Sequence, residues 1–249
     1  MPSLYFRVST RIVAIAALLL AQSAAAGPGF QLNGFITTPA NAPQVLAAID
    51  KLQSAPIMKK SKGRVLLLAN LADGADPATH SFVVLYKSVA EYEDFSAELQ
   101  ADPAWAEFMG TLSTLGQGAA TLRIATIRSW GDLSDEDVVW RNFLFNVSNP
   151  RAFLAAHERF MNSKTGKAFP GQVHVNATVA GGMSPVSHSI VVGYESQAEM
   201  ESWNESNATN PEWTAFLAEL ALSSEFHGSN LSRTIKAWGP ASMKSIFAR

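Results

Sequence analysis

The sequence contains no cysteine among its 249 residues. This excludes disulfide bonds, thiolate metal sites, a cysteine nucleophile and a lipidated cysteine anchor. Charge is also scarce, since 19 lysines and arginines against 21 aspartates and glutamates leave a net charge of −2. Binding to nucleic acid needs a basic surface, so this balance argues against a nucleic-acid partner. What is present is 47% hydrophobic residues, enough to build a folded core rather than a disordered chain.

The first 26 residues have the composition of an export signal. Arg7 and Arg11 are the only charges before residue 50, an apolar run covers 12–22, and small residues include Ala24 and Ala26. A positive start, a short apolar run and a small-residue cleavage site are typical of a signal peptide. The sequence therefore predicts a signal peptide over 1–26, and a periplasmic or secreted protein that is free of the membrane after cleavage. The alternative is an uncleaved anchor, for which the apolar run is short.

An offset of 108 residues relates two halves of the remaining chain. The stretch 80–86 matches 188–194, and 13 of the 33 positions in 80–112 are identical to their counterparts. Average residue usage would give roughly two such matches. The sequence therefore predicts a tandem duplication, with a first repeat over 27–132 and a second over 137–249.

Each repeat shows the pattern of a βαββαβ unit. Ser88 with Glu91 predicts a capping box at the start of a helix, and the same spacing recurs in the second repeat. A further helix begins at Asp102-Pro103, an N-cap followed by proline at the first helical position. The predicted first and last strands of the two repeats cover 34–38, 124–130, 142–147 and 234–238.

The segment Asp102-Pro-Ala-Trp-Ala-Glu-Phe108 and its counterpart from Asn210 to Phe216 resemble the dimeric α/β-barrel superfamily. Within it, the NIPSNAP-like proteins and the antibiotic-biosynthesis monooxygenases are the most similar groups. The resemblance implies an α+β fold, in which two ferredoxin-like βαββαβ units pack their antiparallel sheets into a barrel around a lumen. Because the unit occurs twice in one chain, it implies an intrachain pseudo-dimer, with further oligomerisation open.

Strand alternation predicts which side chains face that lumen. In the second repeat, the polar positions of the first two strands share one face, whereas the equivalent positions of the first repeat include Leu66 and Leu68. The polar set consists of Asn142, Asn146, His174 and Asn176. His174 and Asn146 are the predicted catalytic residues, since imidazole accepts protons near neutral pH, and Asn142 and Asn176 would bind a ligand. The alternative is a polar network that is satisfied internally.

No cofactor and no metal site are predicted. Asn146 resembles a strand-one asparagine of the haem-degrading monooxygenases. That branch also carries a haem-ligating histidine on the helix after strand three, whereas 210–220 contains none; the resemblance therefore makes haem unlikely. The five histidines also lack the close spacing that a zinc site needs.

Further candidates for ligand binding are Arg128, Trp130, Tyr194 and Trp238. An aromatic and cationic wall would suit an aromatic or anionic ligand, whereas the alternative for the tryptophans is core packing. Three hypotheses for function follow. The protein binds a small hydrophobic or aromatic molecule in its lumen, or it is a cofactor-independent monooxygenase-type enzyme using His174 and the asparagines, or it is an interaction module with a packed lumen.

Overall fold

A computed structural model describes residues 27–72, 76–181 and 185–248. The predicted signal peptide at 1–26 lies outside the described residues. The first repeat contains β1 (Gly29–Thr37), α1 (Ala42–Gln53), a 3-10 helix (Pro56–Lys60), β2 (Arg64–Ala72), β3 (His80–Tyr86), α2 (Val89–Gln100), α3 (Pro103–Leu115) and β4 (Gly116–Gly131). The second repeat contains β5 (Val139–Val147), α4 (Pro150–Asn162), α5 (Lys164–Lys167), β6 (Gln172–Gly181), β7 (His188–Tyr194), α6 (Gln197–Asn207), α7 (Pro211–Ala221), β8 (Ser224–Trp238) and α8 (Met243–Phe247).

Most of the described helices begin after a residue whose side chain caps them, although Asn41 makes no such bond at the start of α1. The Ser88 hydroxyl accepts a hydrogen bond from the Glu91 backbone N–H at the start of α2. At α3, the Asp102 carboxylate accepts from the Ala104 N–H, and Pro103 occupies the first turn. Each cap satisfies one of the backbone donors that a helix leaves free at its N-terminus.

The eight strands form one closed barrel in the order β1-β3-β2-β8-β5-β7-β6-β4. Every neighbouring pair is antiparallel, and the longer helices cover the outside of the barrel. This confirms the predicted α+β architecture of two ferredoxin-like sheets that close on each other. The physical reason is that a sheet with helices on one face must bury its other face.

The last strand of each repeat crosses from its own sheet into the other. Over 116–125, β4 pairs with β1, and over 122–131 it pairs with β6. Strand β8 pairs with β5 over 224–233 and with β2 over 231–238. The sequence predicted both strands too short, because their first halves are polar or glycine-rich and lack apolar alternation. The crossing strands join the two repeats along two seams of the barrel. One seam is the pairing of β4 with β6, and the other is the pairing of β8 with β2.

The lumen is largely filled, although two of the three hypotheses from the sequence need open space inside it. Apolar side chains, most of them from the first repeat, pack inside the barrel with α8, the short C-terminal helix. The members of this cluster are Phe30, Leu66, Leu68, Val83, Leu85, Ile124, Trp140, Met243, Ile246 and Phe247. Two other clusters lie between the sheets and the outer helices, one for each repeat. Among the described residues, no helix has both the length and the apolar composition that crossing a membrane requires.

Candidate functional site

One side of the lumen is polar, at the seam where β4 pairs with β6. In the register of this seam, Ser129 lies opposite His174 and Thr126 lies opposite Asn176. The offset of 108 residues places Leu66, Leu68 and Ala237 at the positions equivalent to His174, Asn176 and Ser129. The other seam has therefore lost this polar character, and its Thr234 hydroxyl accepts a hydrogen bond from Trp140 Nε1 at 2.9 Å.

Four side chains form a hydrogen-bonded chain that starts at this seam, and all of them except the partly exposed Ser129 are buried. Ser129 Oγ lies 2.8 Å from His174 Nδ1, and His174 Nε2 lies 3.0 Å from Gln172 Oε1. Gln172 Nε2 donates to Asp137 Oδ2 at 2.7 Å and to the Ser134 carbonyl oxygen at 2.9 Å. Gln172 is fully buried and His174 is 3% exposed, so water does not compete for these bonds.

The two oxygen atoms that accept from Gln172 decide which atom is the donor in each hydrogen bond of this chain. Because both acceptors of Gln172 Nε2 are oxygens, the Gln172 Oε1 atom must face His174. His174 Nε2 then carries the proton and donates it, which leaves Nδ1 as an acceptor. Ser129 therefore donates its only hydroxyl proton to His174.

Thr126 is held in the same way by Asn176. The Asn176 Nδ2 group donates to the backbone carbonyl of His174 at 3.1 Å, which turns Asn176 Oδ1 toward Thr126. The Thr126 hydroxyl donates to that oxygen at 2.9 Å. Both hydroxyls at the seam therefore donate their single proton to a buried acceptor.

His174 is held in its neutral form. Burial lowers its pKa to about 3, because a low-dielectric environment disfavours the charged imidazolium. The group that accepts from its Nε2 is an amide rather than a carboxylate, so the imidazole has no directly bonded negative charge to stabilise a proton taken from Ser129. His174 therefore orients Ser129 and is a weak base, and the arrangement does not make Ser129 a strong nucleophile.

A cavity of about 260 Å³ opens beside this seam. It is lined by Pro28, Thr126, Ile127, Arg128, Ser129, Trp130, Leu133, Phe247 and Ala248. The Phe247 ring of α8 closes its inner side, with its centroid 4.5 Å from that of the His174 imidazole. The cavity is smaller than the range of about 300–1,000 Å³ for drug-sized ligands, so it suits a small molecule.

Helix α8 is anchored at this end of the barrel by polar contacts. Asp135 Oδ1 accepts from the Met243 backbone N–H at 2.8 Å and lies 3.0 Å from Arg64 Nη1. The same guanidinium nitrogen donates to the Ala241 carbonyl at 3.1 Å. These bonds hold Phe247 in the lumen.

A second, larger groove of about 540 Å³ lies on the outer surface between α1 and α3. Its lining is mainly apolar, with Ala47, Ala48 and Ala104 among the residues that form it. It contains no hydrogen-bonded network of buried polar groups comparable to the one at the seam. The smaller cavity is therefore the better candidate site, although it has less volume.

The structure brings only part of the predicted site together. Asn142 faces the lumen two strands away from His174, with Val191 between them in register, about 10 Å apart at typical strand spacing. Its Oδ1 atom is buried and has no hydrogen-bond partner among the described residues. Asn146 lies about 13 Å further along β5, opposite Glu225, and does not reach His174.

The aromatic candidates are placed differently from one another. Tyr194, a predicted ligand-binding residue, does not face the lumen: it is buried under the helices, where Phe169 packs on it with ring centroids 5.4 Å apart. Trp238 faces α1, and its Nε1 donates to Asp50 at 2.8 Å. The two predicted tryptophans therefore form no common wall.

Trp130 and Arg128 both line the cavity, but neither belongs to the polar network. Trp130 also packs against the helices of the second repeat, where its ring stacks on His157 with centroids 6.4 Å apart. Arg128 is exposed. Of the predicted ligand-binding residues, these two and Asn176 lie closest to the cavity.

Sequence reasoning missed Ser129, Thr126, Gln172, Asp137 and Phe247. Strict alternation along β4 puts Ser129 on the face opposite to Thr126, but a bulge at Ile127 shifts the register so that both face the lumen. The one signal available was the comparison of repeats, in which Ser129 is replaced by Ala237. Across the described residues, no three histidine, aspartate or glutamate side chains come together as a metal site would require.

Asp137 makes the stability of the protein depend on pH. Burial raises the pKa of its carboxyl to about 6, with Glu199 and Glu195 adding to the rise and the Gln172 hydrogen bond opposing it. Between pH 4 and pH 6 the unfolded chain loses this proton before the folded protein does, so the free energy of unfolding falls as pH rises. We expect wild type to lose about 1–2 kcal/mol relative to Asp137→Asn between pH 4 and pH 8, measured by urea denaturation. Parallel pH profiles of the two proteins would contradict this assignment.

Comparisons with known proteins place the fold but not a family. No family model matches the chain, and no curated protein matches it significantly. A monooxygenase-like protein from Lactobacillus acidophilus superposes with a TM-score of 0.59 and 12% identity, over 87% of this chain and 98% of its own. One from Fusobacterium nucleatum gives 0.56 and 12%, over 87% and 96%. An anthrone oxidase-like protein gives 0.53 and 11%, over 91% and 98%.

The expectation that the protein takes no cofactor, with haem unlikely, was wrong. A haem-binding protein from Thermus thermophilus shares the fold, with a TM-score of 0.51 and 8% identity over 85% of this chain and 92% of its own. The missing histidine in 210–220 therefore does not exclude haem, because the exclusion rested on one branch of the superfamily.

His157 offers the atom that a haem iron would need. Its Nε2 is buried and has no hydrogen-bond partner among the described residues, and burial lowers its pKa to about 4, so the imidazole is neutral. The ring is enclosed, however, by Phe153 and Phe216 at centroid distances of 4.6 and 5.0 Å. The ligand atom suits haem but the space around it does not, and no chemistry through haem follows from this packing.

At 8–12% identity the comparisons establish architecture alone: the chain has the fold of the dimeric α/β barrels, built from a single polypeptide.

Proposed function

We propose that the protein binds a small aromatic molecule in the cavity at the β4–β6 seam. The observation that carries this proposal is the buried chain from Asp137 through Gln172 and His174 to Ser129, which ends at a cavity-lining hydroxyl. Burying His174, Gln172 and Asp137 costs free energy unless each is hydrogen-bonded. The equivalent positions at the other seam are Gly29, Arg64, Leu66 and Ala237, which do not form such a chain, so the fold does not require it.

The cavity walls favour a ligand that combines apolar surface with a polar group. Trp130, Phe247 and Leu133 supply apolar surface, and Ser129 supplies a fixed polar group. A few placed polar groups in an apolar pocket are typical of small-molecule sites. Arg128 is exposed at the outer edge, where it can meet a polar substituent of the ligand.

Filling each of the two cavities in turn tests the assignment. Calorimetric titration with 2-naphthol is expected to show binding to wild type and at least tenfold weaker binding to Ser129→Leu, whose side chain occupies the cavity. The matched control is Ala47→Leu, which fills the groove between α1 and α3 and should bind as wild type does. Binding lost in the control and kept in Ser129→Leu would move the site to the outer groove. No binding to any of the three would leave the interaction module with a packed lumen as the better hypothesis.

A monooxygenase-type enzyme is the second candidate, supported by the monooxygenase-like proteins that share the fold. His174 would then orient Ser129 against the substrate rather than remove a proton, because its pKa is about 3. Oxygen consumption on adding a bound aromatic compound, lost in His174→Leu while binding persists, would show turnover.

A further inference from the structure

The hydrogen-bond polarity of the cavity wall carries an inference about the class of ligand, which rests on the proposed function. Ser129 and Thr126 each have one hydroxyl proton, and both protons point away from the ligand, to His174 Nδ1 and to Asn176 Oδ1. A hydroxyl that has given its proton to one partner can still accept hydrogen bonds through its lone pairs. Both cavity-lining hydroxyls are therefore acceptors only.

Rotating the Ser129 hydroxyl to serve a ligand would break this arrangement. Its proton would leave His174 Nδ1 unpaired in a site where His174 is 3% exposed. An unpaired buried acceptor costs more than an ordinary hydrogen bond contributes. The ligand therefore has to fit the existing hydrogen-bond direction of Ser129, because reversing that direction costs too much.

Tautomer exchange at His174 does not release Ser129 either. A proton on Nδ1 would turn the lone pair of Nε2 toward Gln172 Oε1, at a distance of 3.0 Å. Turning the Gln172 amide to compensate would give up its bonds to Asp137 and to the Ser134 carbonyl. The direction of the hydrogen bonds is therefore fixed at Ser129, His174 and Gln172 together.

We propose that the cavity selects aromatic molecules that present an uncharged hydrogen-bond donor, an O–H or N–H, to Ser129 or Thr126. If the same ring carries an ether or carbonyl oxygen at that position, the lone pairs of that oxygen face the lone pairs of the hydroxyl oxygens. Such a molecule therefore binds less tightly. Arg128 does not reverse this preference, because it lies at the solvent edge of the cavity, whereas Thr126 is 3% exposed.

Three compounds of one shape separate polarity from size. Calorimetric titration of wild type with 2-naphthol, naphthalene and 2-methoxynaphthalene is expected to give affinities in that order, with 2-naphthol about tenfold tighter than the ether. In Ser129→Ala the preference for 2-naphthol over naphthalene should shrink to about threefold or less. Thermal unfolding of each variant establishes that it is folded.

Thr126→Val and Thr234→Val form the matched pair of variants. Thr126 lines the cavity, whereas Thr234 occupies the equivalent position of the other repeat and bonds to Trp140. The first change should reduce the preference for 2-naphthol, and the second should leave it as in wild type. An ether that binds as tightly as 2-naphthol overturns the donor preference while binding itself stands. If none of the three compounds binds, the proposed function fails and this inference fails with it.

Discussion

Neither repeat, produced alone as 27–132 or 137–249, is expected to fold as a stable monomer. In the barrel, the lumen faces of the two sheets cover each other, so a lone first repeat would expose Leu66, Leu68, Val83 and Leu85. The second half of β4 would also lose its partner β6, and β2 would lose its partner β8. Unpaired strand edges and an exposed apolar sheet favour association or aggregation.

Size-exclusion chromatography with light scattering and thermal unfolding by circular dichroism provide the measurement. Each repeat alone should be aggregated, unfolded or at least dimeric, with no cooperative monomer transition. Coexpression of the two fragments is the control, because it restores both seams and should give a 1:1 complex that unfolds cooperatively. A monomeric 27–132 fragment that melts cooperatively would show that the repeats are independent domains.

Phe247→Ala is expected to destabilise the protein by about 3 kcal/mol. The Phe247 ring is 4% exposed and belongs to the lumen cluster, and truncation of a buried phenylalanine removes its transfer free energy and leaves a cavity. The loss is large for a residue so near the C-terminus, because α8 fills the lumen rather than lying on the surface. Guanidinium denaturation of both proteins measures it.

Leu222→Ala is the matched control for this change. Leu222 is 87% exposed, and its truncation should alter the free energy of unfolding by no more than about 0.5 kcal/mol. Phe247→Ala should also enlarge the cavity beside His174 and admit aromatic ligands larger than naphthalene. Equal stability of Phe247→Ala and wild type would mean that α8 leaves the lumen in solution.

Much of the architecture could be read from the order of residues. The repeated capping residues and the alternation in 173–177 predicted where elements begin and which faces meet the helices, because these signals depend on neighbours a few residues apart. The lengths of β4 and β8 could not be predicted, since their polar first halves are strands only because β1 and β5 pair with them.

The candidate site divides in the same way. His174 and Asn176 were found because they alternate with apolar residues on one strand. Ser129 was hidden by the bulge at Ile127. Gln172, Asp137 and Phe247 carry no local signal, because their roles depend on contacts with residues up to 73 positions away, as between Phe247 and His174.

The sequence by itself determined that one βαββαβ unit occurs twice and that the second copy has His174 and Asn176 where the first has Leu66 and Leu68. The tertiary structure decided that β4 and β8 cross the seams, that α8 fills most of the lumen, and that a directed chain of hydrogen bonds ends at Ser129. Repetition and alternation are properties of near neighbours in the chain. Closure of the barrel is a property of distant segments, and the space left inside it depends on which side chains those segments bring together.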